Sequence, residues 1–398
     1  MPGPDHIEGM DFAASFRPEA NDRPTRIRVD LDALSHNFHA LQVHAGVPVM
    51  GIVKANAYGH GLVPVALHLQ AEGIGQLGVA LVEEGIALRR AGVTVPILVL
   101  GGIHAPQVSQ FLACDLEVTV SSIAKLRQVE LAAESLGRRA VIHLKVDTGM
   151  ERIGVHSENA GPLIEAAVAS RWCTVKGVYS HLACSDDPAS PMTQGQLARF
   201  LDACRHFERI GAPMPIRHLA NSGGVLHFPE TCLDMVRPGI ALYGVMPDPA
   251  SRPTVALKPA LSLVSKVVYF KVVNAGRTVS YGATWTAPTD TRIVTVPIGY
   301  GDGYPRSLSS RGEVLVRGAR HPIVGRVCMD QFMVDLGPGG SAYNEDEVVL
   351  IGRQGGDGIT CEAVALAAGT IPYEILTGLN ARIPREYIGG ASGMAPAT

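Results

Sequence analysis

The sequence predicts an α/β protein: an N-terminal (β/α)8 TIM-type barrel followed by a predominantly β C-terminal domain. Three observations carry this expectation. Between about residue 46 and residue 240, short apolar runs alternate with amphipathic stretches. There are eight such runs, the number a closed barrel needs. Near residue 250 the alternation gives way to β-rich segments separated by Gly and Pro turns. With 398 residues the chain is too long for one small core, so two domains are the default. An open doubly wound sheet is the other topology this alternation allows, because alternation does not show closure.

Residues 1–24 hold Pro2, Pro4, Pro18 and Pro24 with several charges and no continuous apolar run, so they read as a flexible tail rather than a signal peptide. Residues 25–252 are expected to form the barrel. Its strand candidates are Val47–Val53, Leu77–Leu81, Pro96–Leu100, Leu116–Val120, Ala140–Val146, Thr174–Tyr179, Ile216–Leu219 and Met235–Arg237. Amphipathic stretches such as Ser122–Leu136, Pro162–Ala169 and Thr193–Ile210 lie between them. Asp248-Pro249-Ala250-Ser251-Arg252-Pro253 reads as a linker. Residues 253–398 then carry strand-like segments at Leu261–Val273, Arg292–Ile298, Glu313–Val316, Val324–Leu336 and Glu347–Ile351. Short helices are expected at Cys361–Ala368 and Tyr373–Leu379. Ile27–Leu31 suits a strand of either domain.

Apolar residues make up 46% and charged residues 18%, which suits a well-buried globular enzyme rather than a disordered chain. The formal charge is −3 and no basic stripe occurs, so neither nucleic acid nor an anionic membrane is an expected partner. No apolar run is long enough to span a bilayer. The seven cysteines are scattered and form no C-x-x-C. They are expected to be reduced thiols in the cytoplasm, not a disulfide framework or a metal site.

Chemistry-bearing residues gather just past the strand candidates, where a barrel brings its loops to one face. Lys54 ends the apolar run Val49–Val53 and precedes Ala55-Asn56-Ala57-Tyr58-Gly59-His60-Gly61. A lysine that loses its hydration at a strand end has a lowered pKa and becomes a Schiff-base or general-base amine. A lysine that snorkels to water is the plainer alternative. Arg152 follows the fifth run in Asp147-Thr148-Gly149-Met150-Glu151-Arg152, where a guanidinium fork suits a carboxylate. His181 follows the sixth run, as a structural imidazole or one stacked on an aromatic cofactor. Asn221 and Ser222 open Asn221-Ser222-Gly223-Gly224 after the seventh, a phosphate-binding turn or an ordinary helix cap. Arg237-Pro238-Gly239-Ile240 closes the eighth; Gly239 admits close approach, and Arg237 suits a carboxylate, a ring nitrogen or a surface ion pair. In the second domain, Ser280-Tyr281-Gly282 and Gly299-Tyr300-Gly301-Asp302-Gly303-Tyr304 offer tyrosines that either pack or move protons. Asp302 reads as a turn former.

Taken together, these blocks resemble the alanine racemases, fold-type III pyridoxal-phosphate enzymes, from about residue 25 to about residue 390. The matching blocks are Val53–Gly61, Asp147–Met150, Arg237–Gly239, Val279-Ser280-Tyr281-Gly282-Ala283-Thr284 and Gly325-Arg326-Val327-Cys328-Met329-Asp330. The resemblance implies interconversion of L- and D-alanine, supplying D-alanine for peptidoglycan, with pyridoxal 5'-phosphate as cofactor. It implies a homodimer with shared active sites and a small amino-acid substrate. Lys54 would hold the cofactor through a Schiff base and act as the base for the D-isomer. Tyr281, from the partner subunit, would serve the L-isomer. Arg152 and the Met329 amide would bind the substrate carboxylate, and Tyr300 with Met329 would restrict its side chain. Tyr58, Ser222, Gly239, Ile240 and Tyr373 would surround the phosphate, with Asn221 beside them. His181 would lie against the pyridine ring and Arg237 would touch its nitrogen. Lys145 matches a position that braces Arg152 and is often carbamylated.

The departures from the family pattern are few. Glu151 stands where glycine is usual, Gly223 and Gly224 where alanines are common, and Gly301 where alanine is. Glu151 is expected to point to solvent rather than compete for Arg152. A racemase of wider range, acting on serine or lysine, is the alternative function. A decarboxylase of the same architecture fits less well, since it would call for an acidic partner at the ring nitrogen where Arg237 stands. A non-catalytic cofactor carrier would not need Tyr281 or the second domain.

Overall fold

The computed structural model describes residues 23–248 and 254–390. Most of the expected tail and linker therefore lies outside the described residues. Two compact units emerge. One is built mainly from Asp30–Ala260 and takes in Ile371–Thr377; the other is built from Leu261–Thr370 with the segments ending at Val29 and Tyr387.

The first unit is the barrel. Strands Met50–Ile52, Gln76–Val79, Ile97–Val99, Leu116–Val120, Ala140–Asp147, Cys173–Tyr179 and Ile216–His218 pair in that order, every pair parallel. The eighth run contributes single parallel bridges, His218 with Met235 and Val236 with Val49. Backbone bonds complete the seam: the Met50 amide donates to Val236 O at 2.8 Å, and the Val236 amide to Pro48 O at 3.0 Å. The sheet closes on itself, which excludes the open doubly wound alternative. The eighth run is short because Pro238 has no amide to donate beyond it.

Barrel strands are buried on both faces, as the burial of all five residues of Leu116–Val120 illustrates. Residues from non-adjacent strands meet one another only inside the barrel. Gln76, Glu117, Thr119, His143, Tyr179 and His218 do so, so the apolar-looking runs enclose a polar interior. Helices have ordinary stop and start signals. Asp30 caps Leu31–Ala45 by accepting from the Ala33 amide, and Ser122 caps Ile123–Leu136 by accepting from Lys125.

The second unit is mostly β. Its sheet runs in the order Tyr269–Val273, Thr291–Val296, Phe332–Asp335, Ala319–Val324, Glu313–Val316, Glu347–Gln354, Leu261–Lys266, Arg26–Asp30, Arg385–Ile388. Arg26–Asp30 alternates, with Ile27 and Val29 fully buried, and pairs antiparallel with Leu261–Lys266. That settles which sheet holds the early strand. The run expected at Leu261–Val273 is two strands broken at Val267-Val268. The run expected at Val324–Leu336 is interrupted by a loop over 325–331, because Gly325 takes a positive φ there. Among the described residues, no helix is long and apolar enough to cross a membrane, and all seven cysteines are free.

Candidate active site

Lys54 stands at the start of an unusual turn. Ala55, Asn56, Ala57 and Tyr58 all have φ between 51° and 55°, a full left-handed helical turn. Only asparagine among these tolerates that region readily, and the others cost roughly 1–2 kcal/mol each. The turn persists because its ends are held. Glu84 accepts from the Ala55 amide at 2.7 Å through one oxygen, and from the Ala80 and Leu81 amides through the other. Asn56 accepts from the Leu62 amide at 2.8 Å. The strained turn sets Lys54 and Tyr58 on the wall of one cavity.

That cavity has a volume of about 650 Å³, within the range of small-ligand sites. Lys54, Tyr58, Arg152, His181, Asn221, Ser222, Arg237, Gly239, Ile240 and Tyr373 all line it. Burial lowers the Lys54 pKa; Arg152 lowers it further and Glu84 opposes both. Burial also holds the Tyr58 and Tyr373 phenols well above their usual value, so both stay protonated donors. His181 is pushed well below the usual imidazole range, by burial first and then by Lys145 and Arg237. It is neutral at pH 7.

The Arg152 loop is organised by Asp147. One carboxylate oxygen accepts from the amides of Gly149, Met150 and Glu151, at 2.8, 3.0 and 3.2 Å; the other accepts from the Arg152 amide at 3.2 Å. Burial raises the Asp147 pKa, but these bonds outweigh it and the net shift is downward. Glu151 sits at φ 53°, a position where glycine is unstrained. Its carboxylate is exposed and pairs with His156 at 2.9 Å, not with Arg152. The Arg152 guanidinium has no ion-pair partner among the described residues. Lys145, by contrast, is buried, with Nζ 4.3 Å from the Tyr179 ring centroid, and its pKa falls well below the usual value through burial, then Arg237 and Arg152.

The phosphate-type turn is compact. Asn221 is a helix cap, accepting from the Gly224 amide at 3.0 Å. Ser222 Oγ accepts from the amides of Gly239 at 2.9 Å and Ala241 at 3.2 Å, which leaves its own proton to donate. A Cβ on Gly239 would lie 2.3 Å from Tyr58 Oη. A Cβ on Gly223 would lie 2.6 Å from both Asp186 Oδ1 and Ser185 O, so here alanine would not fit without a shift.

Arg237 is only 3% exposed, which rules out the surface ion pair. Its Nη1 donates to His218 O at 2.6 Å and His218 Nδ1 at 3.0 Å; its Nη2 donates to Ser180 O at 2.7 Å and Leu219 O at 3.1 Å. Burial brings its pKa down to about 10, Tyr179 opposing, so it remains a cation at pH 7.

Tyr281, Tyr300 and Met329 belong to the β unit, where their loops meet. Ser280 Oγ donates to Arg326 O at 2.7 Å, and the Tyr300 amide donates to Cys328 O at 3.1 Å. Tyr281 and Met329 line a second hollow of about 560 Å³ with Ser280, Cys328 and Asp330. Ser280 and Ala283 take positive φ on either side of Tyr281, and the tyrosine is 69% exposed. Asp302 caps its turn by accepting from the Gly299 amide. Its buried carboxylate also pairs with the part-exposed Arg23 at 2.8 Å and Arg382 at 3.3 Å, which the turn signal alone did not announce.

Comparison with known proteins matches this arrangement. The profile of the alanine racemase N-terminal domain fits residues 29–247, and that of the C-terminal domain fits residues 260–387. The alanine racemase of Symbiobacterium thermophilum is 45% identical over 368 residues, covering 92% of this chain and 98% of that one. The crystal structure of alanine racemase from a D-cycloserine-producing Streptomyces lavendulae superposes with a TM-score of 0.90 at 40% identity, over 93% of this chain and 98% of that one. That of the Bartonella henselae enzyme, with covalently bound pyridoxal phosphate, superposes at 0.83 with 30% identity, over 92% and 99%. With both domain profiles matched and this likeness running the length of the fold, the chain belongs to the alanine racemase family.

Proposed function

We propose that this chain interconverts L-alanine and D-alanine with pyridoxal 5'-phosphate, using Lys54 and Tyr281 as its two bases. The observation that carries the reading is the convergence of Lys54, Arg152, His181, Ser222 and Arg237 on one cavity, with the Lys54 amine biased toward its neutral form. The cavity suits the cofactor. Gly239 leaves a cradle against Tyr58 that a Cβ would fill, and Ser222, Tyr58 and Tyr373 present hydroxyls to a phosphate beside Asn221 and Ile240. Once bound, the cofactor would supply a carbonyl for imine formation and an electron sink that makes the α-proton acidic.

The residues of the chain do the rest. Neutral Lys54 takes the α-proton of the D-isomer, and the Tyr281 hydroxyl delivers a proton to the opposite face; the L-isomer runs the same exchange in reverse. Arg152 and the Met329 amide hold the substrate carboxylate, which disfavours its loss. Neutral His181 would lie against the ring without adding charge. Arg237 would offer the ring nitrogen the one N–H not taken by its four acceptors, Nε–H. A guanidinium does not readily give up its proton, so the ring nitrogen would stay unprotonated and side reactions such as transamination would be restrained. Tyr300 and Met329 limit the side chain to alanine's size.

The exposure of Tyr281, Tyr300 and Met329 supports a homodimer in which these residues complete the partner's site. Seven free thiols suit a cytoplasmic enzyme. The test is racemisation of L- and D-alanine by the purified holoenzyme, with serine and lysine as comparison substrates. Turnover of both alanine isomers well above the others is expected, and a mixture of inactive Lys54→Ala and Tyr281→Phe chains should regain activity. Loss of the carboxylate from alanine, or no turnover at all, would sink the reading.

A further inference from the structure

Beneath Arg237 lies a chain of buried polar groups that the proposed mechanism does not use. Arg237 Nη1 meets His218 Nδ1 at 3.0 Å. His218 Nε2 meets His143 Nδ1 at 2.9 Å. His143 Nε2 meets Glu117 Oε2 at 2.9 Å. His143 and His218 are fully buried, and Glu117 is nearly so. The carboxylate is also held by Gln76 Nε2 at 2.6 Å and by Lys176 Nζ at 2.5 Å.

Donor and acceptor rules allow this chain to run in only one direction. A guanidinium has donors and no acceptor, so His218 Nδ1 must offer a lone pair. The proton of neutral His218 then sits on Nε2 and is donated to His143 Nδ1. His143 must in turn carry its proton on Nε2, where Glu117 accepts it. A doubly protonated imidazole at either position would set N–H against N–H somewhere in the chain. Burial, the leading influence on both histidines, also favours the neutral forms. The carboxylate is anionic: burial raises its pKa, but His143 and Lys176 outweigh that and the net shift is downward.

We propose that Glu117 is a positioning residue for Arg237, acting through His143 and His218 as the terminal acceptor of a one-way relay that fixes both imidazoles as neutral Nε2–H tautomers. If Glu117 could not accept, His143 could turn its proton to Nδ1. His218 would then be free to place its own proton on Nδ1, facing Arg237. The guanidinium would lose one of its four anchors, and with it the fixed aim of its remaining N–H. Glu117 thus controls, from the far end of the relay, whether Arg237 holds its place beside the cofactor ring. The idea rests on the proposed contact between Arg237 and the ring nitrogen.

The experiment uses the holoenzyme labelled with ¹⁵N-histidine, with long-range ¹H–¹⁵N correlation spectra assigned by His143→Gln and His218→Gln variants. The relay predicts that both wild-type imidazoles show a protonated Nε2 and an unprotonated Nδ1. In Glu117→Gln, where an amide N–H₂ must face either His143 or Lys176, a second tautomer should appear. The ratio of transamination to racemisation should rise about tenfold, the scale of one lost charge-assisted hydrogen bond. A wild-type enzyme that racemises alanine but carries a proton on either Nδ1 overturns the relay and leaves the racemase reading standing. A Glu117→Gln enzyme that merely melts earlier, with tautomers and partition ratio unchanged, also overturns it, by showing a purely structural role. Tautomers as assigned, in a chain inactive on alanine, would support the relay and remove the reading it serves.

Discussion

Lys54 depends on a residue that sequence reading passed over. Glu84 holds the Ala55 amide and opposes the downward shift of the lysine. Glu84→Gln removes that opposition, so the Lys54 pKa should fall further. Since the neutral amine is the nucleophile, the pH midpoint for coupling pyridoxal phosphate to the cofactor-free chain should move to lower pH. A midpoint that rises or stays put would mean that Glu84 acts only as a backbone cap. Much of the site's chemistry was legible at this scale, because Lys54, Arg152, His181 and Arg237 each follow an apolar run. The supporting roles of Asp147 and Glu84 were not, since which backbone amides a carboxylate gathers is set by how the loop folds around it. Nor were Glu117 and His143 legible: inside a barrel strand they take the inward places of an otherwise apolar alternation, and their partners come from other strands. Glu151 was read correctly as pointing outward, and its positive φ accounts for glycine being usual at that place.

Two short elements form part of the cavity wall. The left-handed turn over Ala55–Tyr58 was unreadable, because its propensities argue against it and only tertiary contacts hold it. The segment Arg237–Ile240 was readable as the end of the eighth run, whose closing seam rests on two isolated bridges just before it, at Met235 and Val236. These elements touch where Gly239 meets Tyr58. Gly239→Ala should therefore displace the Tyr58 ring, destabilise the chain by about 1–3 kcal/mol in urea unfolding and weaken cofactor binding about tenfold. Unchanged stability and affinity would show that Tyr58 can move aside freely, and that its hydroxyl is not a fixed part of the cradle. The β unit was less legible in detail. Runs such as Leu261–Val273 hide a break that periodicity alone does not mark.

At the scale of the whole molecule, the two proposed bases come from different units. Lys54 lies in the barrel cavity, and Tyr281 stands exposed on a loop of the β unit beside Met329. On the proposed reading, such a division would make racemisation a property of the assembled enzyme rather than of either unit, and would give each face of the α-carbon its own proton handler. The barrel was legible because eight apolar runs announce it; the expectation that Tyr281 serves a partner's site came only from the family resemblance, since exposure is not written in a residue's type. The most direct measurement is solvent-deuterium incorporation into each alanine enantiomer by folded Tyr281→Phe holoenzyme. The account predicts that Lys54 still exchanges the α-proton of D-alanine, while exchange from L-alanine falls by about 10² or more and racemisation falls with it. Equal loss from both enantiomers, or exchange from L-alanine at the unaltered rate, would contradict the assignment of one base to each face.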